Sequence, residues 1–126
     1  MVLTILSLVI GYLTLSISIA LLYTAWFSGA GAEVTGQFIA FSSVCGLGFA
    51  TLSGWLTALV AQRAPIAHAA GLALLLTLVW AISTLSAGTA EPISIALLNL
   101  AIGITGVMTG GWWRLRQMKA RDLMEE

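Results

Sequence analysis

The side chains that could do chemistry in this sequence are few and lie far apart. They are the single histidine His68, the single cysteine Cys45, and Asn99, the most polar residue deep in the fourth apolar stretch. Acid–base or nucleophilic catalysis needs several positioned groups, and a metal site needs several ligands. The spacing of these three residues indicates neither a catalytic set nor a set of metal ligands. We therefore predict that the protein is not an enzyme and that it binds no metal and no cofactor.

His68 is the one candidate for cofactor binding. An imidazole can ligate a haem or a chlorophyll-type pigment, and it changes charge near neutral pH. A haem held by two histidines of one chain is excluded, because the sequence has no second histidine. A metal site needs companion ligands, and no Asp, Glu or Cys lies near His68 in the sequence. We interpret His68 as a polar residue at a membrane surface.

Cys45 and Asn99 each have a structural interpretation beside a chemical one. Cys45 has no partner cysteine for a disulfide or a shared metal, so we expect it to pack as a small hydrophobic residue. Asn99 could contact a ligand or a substrate. We favour instead a hydrogen bond from Asn99 to another helix, worth about 1 kcal/mol in a membrane.

The composition identifies the solvent for most of the chain as lipid. Hydrophobic residues make up 60% of the 126 residues and charged residues only 8%, whereas about a quarter of a soluble domain is charged. Five basic and five acidic residues give a net charge of zero. This balance argues against a nucleic-acid partner, which would require a basic patch, and the lipid bilayer is the expected partner.

Four apolar stretches account for nearly the whole chain. Each is at least as long as the roughly 20 residues that cross a bilayer core. Proline stands at the start of the third and of the fourth stretch, where a helix tolerates its missing N–H. The connections are short and force neighbouring helices to be antiparallel. The stretches cover about residues 2–27, 36–61, 66–86 and 92–113.

We therefore predict an all-α integral membrane four-helix bundle with up-down-up-down order, as one transmembrane domain over residues 1–126. Ala30-Gly31-Ala32 resembles a signal-peptide cleavage site. The apolar run before it has no basic residue ahead of it and is longer than a usual signal sequence, so we expect a retained helix. Residues 114–126 could extend the fourth helix, but we predict a short solvated cytoplasmic tail.

Orientation follows from the distribution of basic residues. The only charged residues in the first and third connections are Glu33 and Glu91. Every Lys and Arg lies in the second connection or after the fourth stretch. Basic residues are enriched on the cytoplasmic side, which predicts a cytoplasmic second connection and cytoplasmic N and C termini. The short connections and compact design favour a bacterial plasma (inner) membrane. The basic residues are Arg63, Arg114, Arg116, Lys119 and Arg121.

Tryptophans at the ends of the apolar stretches fit the same orientation. Trp26 lies at the end of the first stretch, on the predicted outer side, and Trp112 and Trp113 close the fourth on the inner side. Tryptophan favours this interface because one part of its ring is apolar and another part is polar. We expect these three residues, with the basic residues Arg63, Arg114 and Arg116, to lie at the membrane interfaces.

Small residues recur at helical spacing in two of the stretches. In lipid, helices associate through close backbone approach, which small residues permit. The pattern predicts one helix-packing face on the second helix and one on the fourth, and leaves open whether the partner is this chain or another subunit. The residues are Ser42, Gly46, Ala50, Gly54 and Ala58 on the second helix, and Ala96, Asn99, Gly103, Gly106 and Gly110 on the fourth.

In length and number of helices the chain resembles the small multidrug resistance transporters and the small fluoride channels. The transporters depend on a glutamate in the first helix, and no acidic residue lies between Met1 and Ala32. The fluoride channels insert in both orientations, whereas the basic residues here lie on one side. We assign the chain to neither family.

The sequence thus favours a non-catalytic multi-pass membrane protein. It would act as an accessory or scaffold subunit, or as a self-associating bundle, through its small-residue helix faces. The expected partners are a second copy of the chain or a larger membrane complex. The alternative is a small oligomeric channel or facilitator for an ion or a small neutral solute, with Ser, Thr and Asn99 side chains lining the path.

Overall fold

A computed structural model describes residues 1–28, 35–88 and 92–126 of the chain. These residues form four α-helices and no strand, which confirms the predicted all-α fold. Each of the four helices is long and apolar enough to cross a membrane. The helices are α1 (Val2–Phe27), α2 (Gly36–Ala61), α3 (Pro65–Ala87) and α4 (Ile93–Glu125).

Local sequence explains where these helices begin. The Thr35 hydroxyl accepts a hydrogen bond of 3.2 Å from the Phe38 N–H and so caps α2. Pro65 is the first residue of α3. Between α2 and α3 the chain reverses within three residues, with Gln62 at φ 60° and Ala64 at φ 43°. Such left-handed conformations cost about 1 kcal/mol or more in a residue other than glycine.

The fourth helix differs from the prediction. The predicted span ends at Trp113, whereas α4 continues without a break to Glu125, so the predicted tail of residues 114–126 is a helical extension. No glycine or proline follows Gly111, and most later residues are strong helix formers. A helix of 33 residues is about 50 Å long at 1.5 Å per residue. It exceeds a bilayer core of about 30 Å, so its last turns project beyond the lipid.

Glycines set the closest helix contacts. A Cβ atom added to Gly54 of α2 would overlap the Val107 backbone of α4, and one added to Gly110 of α4 would overlap the Thr51 backbone of α2. These contacts bring the backbones of α2 and α4 together over about two turns. We call this contact the α2–α4 seam.

The other contacts also depend on small residues. Gly11 of α1 packs against Thr57 of α2, and its carbonyl accepts a hydrogen bond of 2.5 Å from the Ser53 hydroxyl. Gly111 of α4 packs against Ala69 of α3. These contacts surround a buried core that draws on all four helices and consists of Leu15, Ala50, Ala69, Leu72, Ala73 and Val107.

The two ends of the bundle have different chemistry. Where α1 ends and α2 begins, five aromatic rings stack with centroids 5.0–5.9 Å apart, and we call this the aromatic end. At the opposite end, the start of α3 approaches both α1 and α4, and we call this the basic end because Arg63 and the α4 extension lie there. The aromatic rings belong to Tyr23, Trp26, Phe27, Phe38 and Phe41.

Candidate functional site

A cavity of about 250 Å³, partly open to the outside of the bundle, lies between the four helices, nearer to the aromatic end than to the basic end. Each helix contributes to its wall, so the cavity is a product of the bundle rather than of one element. The lining residues are Leu15, Ile19, Leu22 and Tyr23 of α1, Ser42, Ser43 and Gly46 of α2, Leu76 and Trp80 of α3, and Asn99, Leu100, Ile102 and Gly103 of α4.

The cavity lies next to the α2–α4 seam, on the side of the aromatic end. Gly106 lies against Ala50, and a Cβ atom added there would meet the Ala50 side chain at 2.5 Å. One turn nearer to the aromatic end, a Cβ atom added to Gly46 or to Gly103 would meet nothing within 4 Å. Glycine therefore permits close packing in one half of the seam and leaves space in the other half.

The predicted helix-packing residues divide between these two halves. Six of them are buried, and four instead line the cavity. The close contacts of the predicted α2 face and of the predicted α4 face are made between helices of one chain. The buried residues are Ala50, Gly54, Ala58, Ala96, Gly106 and Gly110, and the cavity-lining residues are Ser42, Gly46, Asn99 and Gly103.

The cavity wall is mainly hydrocarbon with a few polar groups. Among the lining residues that the structure describes there is no Asp, Glu, Lys, Arg or His. The Ser42 hydroxyl donates to the Ile39 carbonyl of its own helix at 3.1 Å, and it keeps lone pairs that can accept from a ligand. The wall thus suits an uncharged, largely apolar occupant, since a charge would be left without a partner.

Asn99 is the strongest hydrogen-bonding group on the wall. Its side chain is exposed, and it makes no hydrogen bond to any residue that the structure describes. The expected hydrogen bond from Asn99 to another helix is therefore missing from this part of the chain. Asn99 borders the cavity, and Gly46 on the α2 wall has no side chain that could pair with it. The amide keeps two donors and one acceptor for an occupant.

Toward the basic end, the cavity is closed by tightly packed residues. Ala50, Leu72 and Val107 are completely buried there. Ser53 and Thr57 of α2 are completely buried as well, facing Gly11 of α1. The Ser53 hydroxyl is bonded to Gly11, and the Thr57 hydroxyl has no hydrogen-bond partner among the described residues.

His68 lies at the basic end, remote from the cavity. Its Nδ1 atom is 3.0 Å from the Ala64 carbonyl oxygen, and its Nε2 atom is 3.3 Å from the Thr4 hydroxyl. A carbonyl can only accept, so Nδ1 carries the proton of the neutral ring and Nε2 accepts from Thr4. Both nitrogens are thus engaged, and a cofactor at Nε2 would have to displace Thr4. The geometry favours the interpretation of His68 as a tether between α1 and α3.

A second polar cluster at the basic end was not predicted from the sequence. The indole N–H of Trp55 donates to the Gln117 side chain at 3.0 Å, and Arg114 Nη1 lies 3.5 Å from the same oxygen. The Arg116 guanidinium lies 4.6 Å above the Trp112 ring. The signal for this cluster is weak, since Gln117 lies beyond the apolar stretch and becomes relevant only because α4 continues as a helix.

The remaining predicted positions are placed as follows. Cys45 is half-buried on α2 and does not line the cavity. Trp113 is exposed, and Trp26 is half-buried in the aromatic end. Trp80 was missed as a site residue. The available signal was its place in the middle of an apolar stretch, whereas Trp26, Trp112 and Trp113 stand at stretch ends.

The candidate site is therefore a place for binding by shape, apolar contact and hydrogen bonding. No group of three or more His, Cys, Asp or Glu side chains that could hold a metal ion occurs in the described part of the chain. Comparison of the chain with protein-family models, with curated proteins and with solved structures gives no match.

Proposed function

We propose that this protein is a non-catalytic, four-span membrane protein that acts as an accessory or scaffold subunit or as a self-associating bundle. The observation that carries the proposal is a second set of small residues, which points out of the bundle. Gly48 of α2 and Ala101, Thr105 and Thr109 of α4 are all exposed. We call these exposed small residues together the outer small-residue surface.

The outer small-residue surface has the properties that helix association in lipid requires. Thr105 and Thr109 lie one turn apart on an exposed face of α4, and Gly48 is exposed on α2. A Cβ atom added to Gly48 meets nothing within 4 Å, which leaves room for a partner helix. The Thr109 hydroxyl donates to the Thr105 carbonyl at 2.7 Å, so this donor is satisfied within its own helix. Close approach of a second helix would supply the van der Waals contact that drives association.

The proposal includes an up-down-up-down order of the helices and cytoplasmic N and C termini. Contacts between α1 and α2 support opposite directions, since Gly11 meets Thr57 while Trp26 meets Phe38. Thr4 lies beside His68, which supports an N terminus at the basic end. We also propose the plasma membrane of a bacterium as the location. Glu33 and Glu91, which complete the charge argument, lie outside the described residues.

Replacing Gly48 by leucine is expected to weaken self-association about tenfold or more while the fold is retained. The added side chain blocks helix approach, a loss of about 1.4 kcal/mol or more. It meets no atom of its own bundle at Cβ. The measurement is the monomer–oligomer distribution in native mass spectrometry, after gentle extraction from the source membrane. Ala70→Leu is the matched control, because Ala70 is exposed on α3, away from this surface.

The same spectra separate the two forms of the proposal. A discrete homo-oligomer in the unmodified protein that Gly48→Leu dissociates supports self-association. A fixed ratio to other polypeptides that Gly48→Leu abolishes supports the accessory or scaffold role. A monomer without partners in the unmodified protein would contradict both.

A second proposal is a channel or facilitator for an ion or a small neutral solute, and the cavity is the observation that favours it. Ser42, Ser43 and Asn99 line the cavity, and solute would have to pass the packed half of the bundle in another state. Liposomes containing the purified protein are then expected to pass small neutral solutes faster than empty liposomes. Gly103→Leu, which fills the cavity, should remove this flux. Equal permeability of protein-containing and empty liposomes would contradict the proposal.

A further inference from the structure

We infer that the cavity is a binding site for a small, uncharged aromatic molecule that carries one hydrogen-bonding group. The inference goes beyond the proposed association, because the cavity lies inside one bundle and the outer small-residue surface lies outside it. It also specifies a class of occupant, whereas a facilitator could pass many solutes.

Two glycines on the cavity wall, Gly46 and Gly103, make no close helix contact. Gly54 and Gly110 permit contact between the backbones of α2 and α4, which accounts for the absence of a side chain at both positions. Gly46 and Gly103 permit no such contact, since a Cβ atom at either position meets nothing within 4 Å. Neither residue has a positive φ that would call for glycine. What these two glycines do in the fold is keep the cavity open.

The size and the lining of the cavity fit a small aromatic molecule. An apolar protein cavity of about 150 Å³ accommodates benzene, so about 250 Å³ accommodates an aromatic molecule of about ten non-hydrogen atoms. The rings of Trp80 and Tyr23 border the cavity and offer edge and face contacts to an aromatic occupant. The leucine and isoleucine side chains supply the rest of the contact. The described part of the wall has no Asp, Glu, Lys, Arg or His side chain that would balance a charged occupant.

The Asn99 amide is the hydrogen-bonding partner that the wall offers to an occupant. It faces the cavity and has no hydrogen bond to a described residue. Asn99 lies six residues after the start of α4 at Ile93, which is about 9 Å along the helix and within the apolar thickness of the membrane. An amide without a partner is costly in an apolar medium. A phenol, an alcohol or a ketone on the occupant would satisfy it, and an uncharged molecule of this kind can reach the site from the lipid.

The test uses two probes that differ by one group, 4-bromophenol and 4-bromotoluene, at pH 7, where a phenol is neutral. The full-length protein is placed in phosphatidylcholine nanodiscs. Bromine quenches indole fluorescence at contact distance, so an occupant beside Trp80 is expected to give saturable quenching. Trp80→Phe should remove the saturable part and leave the quenching that arises from the other four of the five tryptophans.

Three substitutions locate the site. Gly103→Leu fills the cavity and is expected to weaken 4-bromophenol binding about tenfold or more, and Gly46→Leu on the α2 wall should do the same from another side. Asn99→Leu is expected to weaken 4-bromophenol about fivefold and leave 4-bromotoluene unchanged, because only the phenol loses a hydrogen bond. Gly48→Leu, the variant that tests association, should leave binding of both probes intact.

The results that would overturn the inference are equally specific. Quenching that does not saturate, or that is the same in the unmodified protein, in Gly103→Leu and in Gly46→Leu, would show partition into lipid without a site. Equal binding of the two probes, unaffected by Asn99→Leu, would overturn the requirement for a hydrogen-bonding group. Because Gly48→Leu separates association from binding, failure of the site and failure of the proposed function give different patterns.

Discussion

Gly54→Leu is expected to prevent assembly of the four-helix bundle, and Gly110→Leu is expected to do the same. A Cβ atom at either position would overlap backbone atoms of the facing helix, at Val107 or at Thr51. Backbone cannot move aside as a flexible side chain can, so α2 and α4 would have to separate along the seam. Overpacking a core usually costs about 1–3 kcal/mol, and a clash with backbone lies at the upper end of this range or beyond it. The measurement is the fraction of monodisperse protein after extraction, followed by thermal unfolding.

Gly46→Leu is the matched control for this prediction. Gly46 belongs to the same predicted helix-packing face as Gly54 and lies two turns away on the same helix. The space beside Gly46 is open, so this variant should fold and unfold at nearly the temperature of the unmodified protein. Equal behaviour of Gly54→Leu and Gly46→Leu would show that the seam does not hold the bundle together. The comparison also separates folding from association, since Gly54 is buried inside one chain.

A reporter fused after Glu126 is expected to lie entirely in the cytoplasm. All five basic residues, from Arg63 to Arg121, lie in the second connection or after the membrane-spanning part of α4. Lys and Arg near helix ends are retained on the cytoplasmic side and set the orientation. A fluorescent protein fused there should fluoresce, and alkaline phosphatase fused there should be inactive. In a recharged variant, glutamine replaces each of the five basic residues, and lysine replaces Glu33 and Glu91. This variant should give the reverse result.

Variants of the two acidic residues provide the control for the orientation experiment. Glu33→Gln and Glu91→Gln without any other change should leave the reporters as they are, because acidic residues contribute little to orientation. Active alkaline phosphatase after Glu126 in the unmodified protein would contradict the assignment. An unchanged reporter in the recharged variant would show that something other than the basic residues orients the bundle.

Three glycines of α2 that look alike in the sequence are expected to have different roles. Gly46, Gly48 and Gly54 belong to one helix within nine residues, and they face the cavity, the lipid and α4 respectively. Leucine at these positions should accordingly affect binding, association and folding, in that order. Three substitutions of the same kind thus test three different properties of one helix.

The sequence by itself determined the class of the fold. Four long apolar stretches with almost no charge have one stable form in lipid, because every backbone N–H and C=O must be satisfied within its own helix. The starts of α1 and α2 and the proline near the start of α3 followed from local signals. The end of α4 was not determined in this way. Hydropathy reports where the lipid ends, whereas the helix continues as long as its residues favour helix.

Only the tertiary structure decided what the small residues do. Gly46 and Gly54 belong to one repeating pattern in the sequence, with the same spacing and the same residue type. The distance from each glycine to its nearest neighbours differs, because a Cβ atom at Gly54 would overlap the Val107 backbone whereas one at Gly46 would meet nothing within 4 Å. Spacing along one helix contains no information about that distance, which depends on the packing of all four helices. The cavity, the unpaired Asn99 amide beside it and the second polar cluster at Trp55 and Gln117 arise from the same cause.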